Sequence, residues 1–190
     1  EIKEAIETLK GKGPKDLLQL SLELGSKLLL LAKKVETEED GKELLEEMIN
    51  SGAAYEKFKE LVMWQGGNIN QIENPELLPK AKYIIEVKSE KDGYIKSLDA
   101  EEIGKCALKL GAGRETMDST VDLSAGIVLN KKIDDNVKKG EALAQIHAND
   151  MNKVIEVEKD LRNLFIIGEK NKESKKLIYG YITKDSVNLY

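Results

Sequence analysis

At 190 residues the chain is long enough for one or two domains with buried cores. Charged residues make up 34% of it and the net charge is −5 with both signs intermixed, which argues against nucleic acid, because a phosphate backbone calls for a clustered basic surface. Its longest apolar run, Leu28 to Ala32, falls far short of the ~18 residues of a membrane span; no signal peptide is read, and with Cys106 as the only cysteine neither an internal disulfide nor a CxxC site can form. The expectation is a cytoplasmic protein without nucleic-acid or membrane partners.

In chain order, Ile2, Ala5, Ile6 and Leu9 stand at helical spacing, and no capping residue precedes Glu1, as though a helix had been cut open. The chain therefore reads as a fragment. Gly11-Lys12-Gly13-Pro14 breaks this helix, and Pro14 suits the first turn of a second one, which runs through Leu17, Leu18, Leu20, Leu24, Leu28 and Leu31 to about Lys34. That helix is apolar over more than one stripe, which predicts a central position with neighbours on several sides. Thr37-Glu38-Glu39 signals the cap of a third helix, 39–50, closed by Ser51-Gly52, and a fourth follows from Ala53 to about Gln65. Phe58, Leu61 and Trp64 on the fourth read as core packing rather than a ligand platform.

Turn residues cluster from Asn74 to Lys80, which places a domain junction there. Beyond it the pattern becomes extended. Segments 83–87 and 93–98 read as a strand pair about an Asp92-Gly93 turn. Residues 101–110 form a helix with Ile103, Ala107, Leu108 and Leu110 on one buried face, stopped by Gly111. Segments 121–123 and 126–129 read as extended, and Lys139-Gly140 as a tight turn between two further strands ending at His147. A helix, 153–164, and a closing strand, 177–182, complete the chain.

Long ordered stretches carry a family resemblance: KAKYIIEV from Lys80, DGYI from Asp92, ALKLGAGR from Ala107, DLSAGIVLNKKI from Asp122 and VKKGEALAQIHAN from Val137. Upstream, KEAIETLKGKGPKDLLQLSLELG from Lys3 and SGAAYEKFKELVMWQGGN from Ser51 belong to the same likeness, which extends to about Asp160. The chain resembles the C-terminal portion of pyrimidine-nucleoside phosphorylases, the family that includes thymidine phosphorylase. The resemblance implies an α+β fold: residues 1–74 as a helical segment of the catalytic α/β domain, and residues 75–190 as a C-terminal α+β domain with a barrel-like antiparallel sheet of biotinyl/lipoyl type. It implies an intact homodimeric enzyme of nucleoside salvage, a pentosyltransferase that cleaves uridine or thymidine with phosphate to the free base and pentose 1-phosphate, with no cofactor required.

That chemistry needs phosphate cradled by the N–H groups of a glycine-rich loop and a base held by polar groups that stabilise its departing negative charge. The resemblance puts these groups in the family's N-terminal half. The two glycine-rich spots here, Gly11-Lys12-Gly13 and Gly111-Ala112-Gly113-Arg114, match neither a P-loop nor a dinucleotide fingerprint. No catalytic, substrate-binding or phosphate-binding residue is therefore assigned to this chain, and the isolated chain is expected to be inactive. The family's monovalent-cation site would fall on the carbonyl of Lys3 and on the position of Lys12, where an acidic ligand is replaced by lysine; either the site is lost or the ammonium stands in for the ion's charge.

Arg114 is a basic residue of a candidate cleft loop, with a structural ion pair as its competing role. His147 reads as packed or hydrogen-bonded and Cys106 as a small core residue. The alternative is a free-standing binding or structural module, or a carrier-like domain of barrel-sandwich type. A carrier presents its modified lysine in a tight exposed turn, and the nearest lysine, Lys153, lacks the flanking tripeptide.

Overall fold

The computed structural model describes residues 1–114, 116–172 and 176–190. Its elements are α1 (Ile2–Leu9), α2 (Lys15–Leu31), α3 (Glu38–Asn50), α4 (Ala53–Trp64), α5 (Ile69–Glu73), β1 (Tyr83–Lys88), β2 (Gly93–Ser97), α6 (Ala100–Ala107), β3 (Gly126–Leu129), β4 (Asn136–Val137), β5 (Ala142–Ala148), α7 (Met151–Leu164), β6 (Ile166–Gly168), β7 (Gly180–Ile182) and β8 (Val187–Leu189). They fall into two compact units. The first runs from Glu1 to Leu78 and includes the closing β7–β8 segment; the second begins at Pro79. The break lies at Leu78/Pro79, inside the Asn74 to Lys80 stretch of turn residues, and the final strands group with the helices rather than with the α+β unit.

In the first unit α2 packs on α3 through small residues. Ser26 is fully buried, and a Cβ on Gly41 would come within 3.0 Å of its Cα. A Cβ on Gly25 would meet the Leu45 side chain at 2.6 Å. The α3 cap is a reciprocal capping box: the Asp40 N–H donates to Thr37 Oγ1 at 3.1 Å and the Thr37 N–H to Asp40 Oδ2 at 3.2 Å. The leucine-rich α2 ends at Leu31, not Lys34, and it is not central. One face is clad by α3, while Leu20, Leu24, Leu28 and Leu31 lie exposed. Trp64 is likewise 78% exposed rather than core. Periodicity identifies an apolar face, but it does not supply the surface that covers it. The closing strand is also shorter than expected, because β7 pairs antiparallel with an unforeseen β8, Tyr181 opposite Asn188.

The second unit holds two three-stranded antiparallel sheets, ordered β1-β5-β3 and β4-β2-β6. The expected barrel-like sheet is therefore divided, and neither sheet closes: β4 is only two residues long, and register shifts interrupt β1 after Val87 and β2 after Ile95. The anticipated hairpin of 83–87 with 93–98 does not form either. β1 pairs with β5 along Tyr83↔Ala148 to Val87↔Ala144, while β2 pairs with β4, Gly93 opposite Val137, and with β6. Gly93 has φ 152°, and a Cβ there would meet Gly168 O at 2.9 Å, so the β2–β6 approach requires glycine.

The turn at Lys139-Gly140 likewise joins strands of different sheets, β4 and β5. Residues 121–123 are loop and turn rather than strand. Both sheets contribute to one core, Val87, Leu143 and Ile146 from one and Ile95 and Val137 from the other, closed by Val154, Val157 and Leu161 of α7. Helix α7 starts two residues earlier than the periodicity suggests because Asp150 caps it, accepting from the Asn152 N–H at 2.9 Å.

Candidate functional site

At the first glycine-rich spot, α1 ends in a tight wrap: the Gly11 N–H donates to Thr8 O at 3.0 Å and the Lys12 N–H to Glu7 O at 2.8 Å, while Thr8 Oγ1 donates to Glu4 O at 2.8 Å. Carbonyls of this turn are thus engaged in closing the helix. Lys12 is exposed. The Lys3 side chain turns out of α1 to Glu76, 3.1 Å away. An ammonium where a carboxylate ligand is expected does not fit a bound cation, and among the described residues no cluster of three His, Cys, Asp or Glu side chains could hold a metal.

At the second spot, α6 is capped by Asp99, whose carboxylate accepts from the Glu101 and Glu102 N–H groups, and it continues through a π-turn, Leu108–Ala112, in which Gly111 takes φ 103°. The helix thus stops where glycine was expected to stop it. The loop returns on itself, the Asp122 N–H donating to Gly111 O at 2.9 Å. Arg114 is exposed. Nearby, Lys109 stands 2.9 Å from Asp160 and 3.1 Å from Glu156 on α7, and these carboxylates hold its ammonium well above the ordinary lysine range. Cys106 is buried, and burial, helped by the Asp160 charge, pushes its thiol up.

A polar clasp close by was missed in the sequence. Asp122 Oδ1 accepts from Ser124 N and Oγ at 2.9 and 2.7 Å, and Oδ2 accepts from Asn149 Nδ2 at 2.7 Å. These donors lower the Asp122 pKa. Asn149 Oδ1 in turn accepts from the Lys82 N–H at 2.8 Å. The clasp ties the loop after α6 to the end of β5 and the approach to β1. Its only sequence signal is the Asp-x-Ser spacing of an Asx turn.

His147 lies half-buried in β5, opposite Ile84 of β1 and Gly126 of β3. Where a carrier domain would expose a lysine after this strand, the chain enters α7 behind its Asp150 cap. Lys153 is an exposed residue of that helix's first turn, not of a turn between strands.

In the first unit, Glu23 of α2 is buried at 8% exposure and gathers Lys42 at 2.7 Å, Lys27 at 3.1 Å and the Tyr190 hydroxyl. Donation from Lys42 and then from Tyr190 outweighs burial and holds its carboxyl at about 2. Burial acts to lower the Lys27 pKa, but hydrogen bonds to Glu38 at 2.6 Å, Tyr190 at 3.1 Å and Glu23 leave it raised. Its ammonium also sits 4.0 Å from the centroid of the Tyr181 ring. A cleft of about 400 Å³ opens beside this cluster, lined by Gln19, Glu23, Lys176, Leu177, Ile178 and Tyr190.

These places are ion-paired, capped or clasped. None assembles a nucleophile, a base and an oxyanion-stabilising group around one reacting atom. Residues 94–168 match the family described as the pyrimidine nucleoside phosphorylase C-terminal domain. Over 149 residues, 78% of this chain, it is 54% identical to the pyrimidine-nucleoside phosphorylases of Staphylococcus aureus strains USA300 and NCTC 8325 / PS 47, and 53% identical to that of the bovine strain RF122 / ET3-1. The match covers 34% of each of these relatives, so the chain spans about a third of their length. This chain carries the C-terminal part of a member of the pyrimidine-nucleoside phosphorylase family.

Proposed function

We propose that the complete protein is a homodimeric cytoplasmic enzyme that splits uridine or thymidine with phosphate, and that these 190 residues are its supporting part. The observation that carries this reading is the 54% identity over 149 residues to enzymes named for that activity. In the reaction a phosphate oxygen bonds to the sugar C1′, the C1′–N1 bond breaks, its electron pair leaves on the base, and a proton returns the base to its neutral form. The groups that hold phosphate and stabilise the leaving base lie on the part of the polypeptide outside this chain. The residues here fold, pair and pack.

On this reading Arg114 borders the cleft as an exposed loop residue, and Lys12 supplies a fixed positive charge where other members hold a monovalent cation. The two sheets of the second unit face a shared core. This supports reading them as a flattened barrel-sandwich kept for architecture rather than for carrying a group. The test is phosphorus NMR of the complete protein with uridine or thymidine and inorganic phosphate. Growth of a pentose 1-phosphate resonance with equimolar release of base is expected. A complete, folded protein that consumes neither nucleoside overturns the assignment.

A further inference from the structure

We draw no further inference here: the strongest candidate, the cleft of about 400 Å³ beside α2 lined by Glu23, Lys176 and Tyr190, carries none, because its charged walls are already bonded within the first unit, Glu23 to Lys42 and the Tyr190 hydroxyl and Lys176 to the Tyr190 main-chain oxygen, and nothing in the structure shows what would fill it.

Discussion

The Tyr190 hydroxyl donates a hydrogen bond to the Glu23 carboxylate across 167 residues of sequence, linking the residue after β8 to the buried side of α2. Lys27 lies beneath both ends of that link, donating to the same hydroxyl at 3.1 Å and standing over the Tyr181 ring. The β7–β8 pair is a two-stranded hairpin, a structure of marginal stability on its own, and this cluster is what fastens it. Tyr190→Phe removes one charge-assisted hydrogen bond and should destabilise the first unit by about 1.5 kcal/mol. Protease should then cut within 176–190 faster than in the parent, with little change in helical signal; unchanged cleavage would show that the tyrosine does not fasten the hairpin.

Glu23 also sets an acid limit. Its carboxyl titrates near 4.5 when unfolded and at about 2 when folded, so its contribution to stability is complete above 4.5 and fades as pH falls from there through 2. Thermal midpoints measured between pH 6 and pH 2 should show this loss. Glu23→Gln should flatten that portion of the profile, and at pH 7 it should cost roughly 3 kcal/mol, because Lys42 and Lys27 lose their shared anion. A variant that keeps the parent's acid profile would place the titration elsewhere.

The α2–α3 contact depends on having no side chain at Gly41, where a Cβ would stand 3.0 Å from both Cα and Cβ of Ser26. Backbone cannot yield as the end of a long side chain does. Gly41→Ala should cost about 2 kcal/mol by overpacking even though alanine favours helix. Denaturant unfolding checks the sign, and a stabilised variant would mean the helices separate at little cost.

Much of the local structure was legible because it is written in short-range chemistry. Thr37 caps one helix and Gly111 stops another, and both effects depend on residues a few positions apart. Strand pairing was misread because partners are chosen at long range. Residues 83–87 and 93–97 are the nearest extended segments in sequence, yet β1 takes β5 some sixty residues on, since its buried Val87 belongs to the core face that Ala144 and Ile146 complete. The leucines of α2 mark the opposite limit. Their apolar face was read from the periodicity, but the central position inferred from it was wrong, since among the described residues nothing covers Leu24, Leu28 and Leu31. Of the candidate sites, Glu23 carried no visible signal, because an acidic residue on an amphipathic helix is ordinarily solvated. Its cluster draws Lys42 from α3 and Tyr190 from the far end of the chain, partners that no local spacing reveals.

Lys12 gives a prediction about ions. If its ammonium supplies the charge that a monovalent cation would provide, phosphorolysis by the complete protein should proceed equally well with potassium replaced by tetramethylammonium. Lys12→Glu should then introduce potassium dependence. Steady-state rates in the two salts decide this, and a parent enzyme that needs potassium would refute the role given to Lys12.

Cys106 should behave as an inert core thiol. With burial raising its pKa, iodoacetamide at pH 8 should modify it about tenfold or more slowly than a free thiol, with full reactivity appearing only in denaturant.

The central claim is that these residues support an active centre whose substrate-binding groups lie on the remainder of the polypeptide. Its most direct test is titration of the isolated 190-residue chain with uridine, thymidine and inorganic phosphate, followed by amide chemical shifts. The account predicts no saturable shift with any of the three. Saturable binding of a nucleoside or phosphate by this chain alone would contradict it.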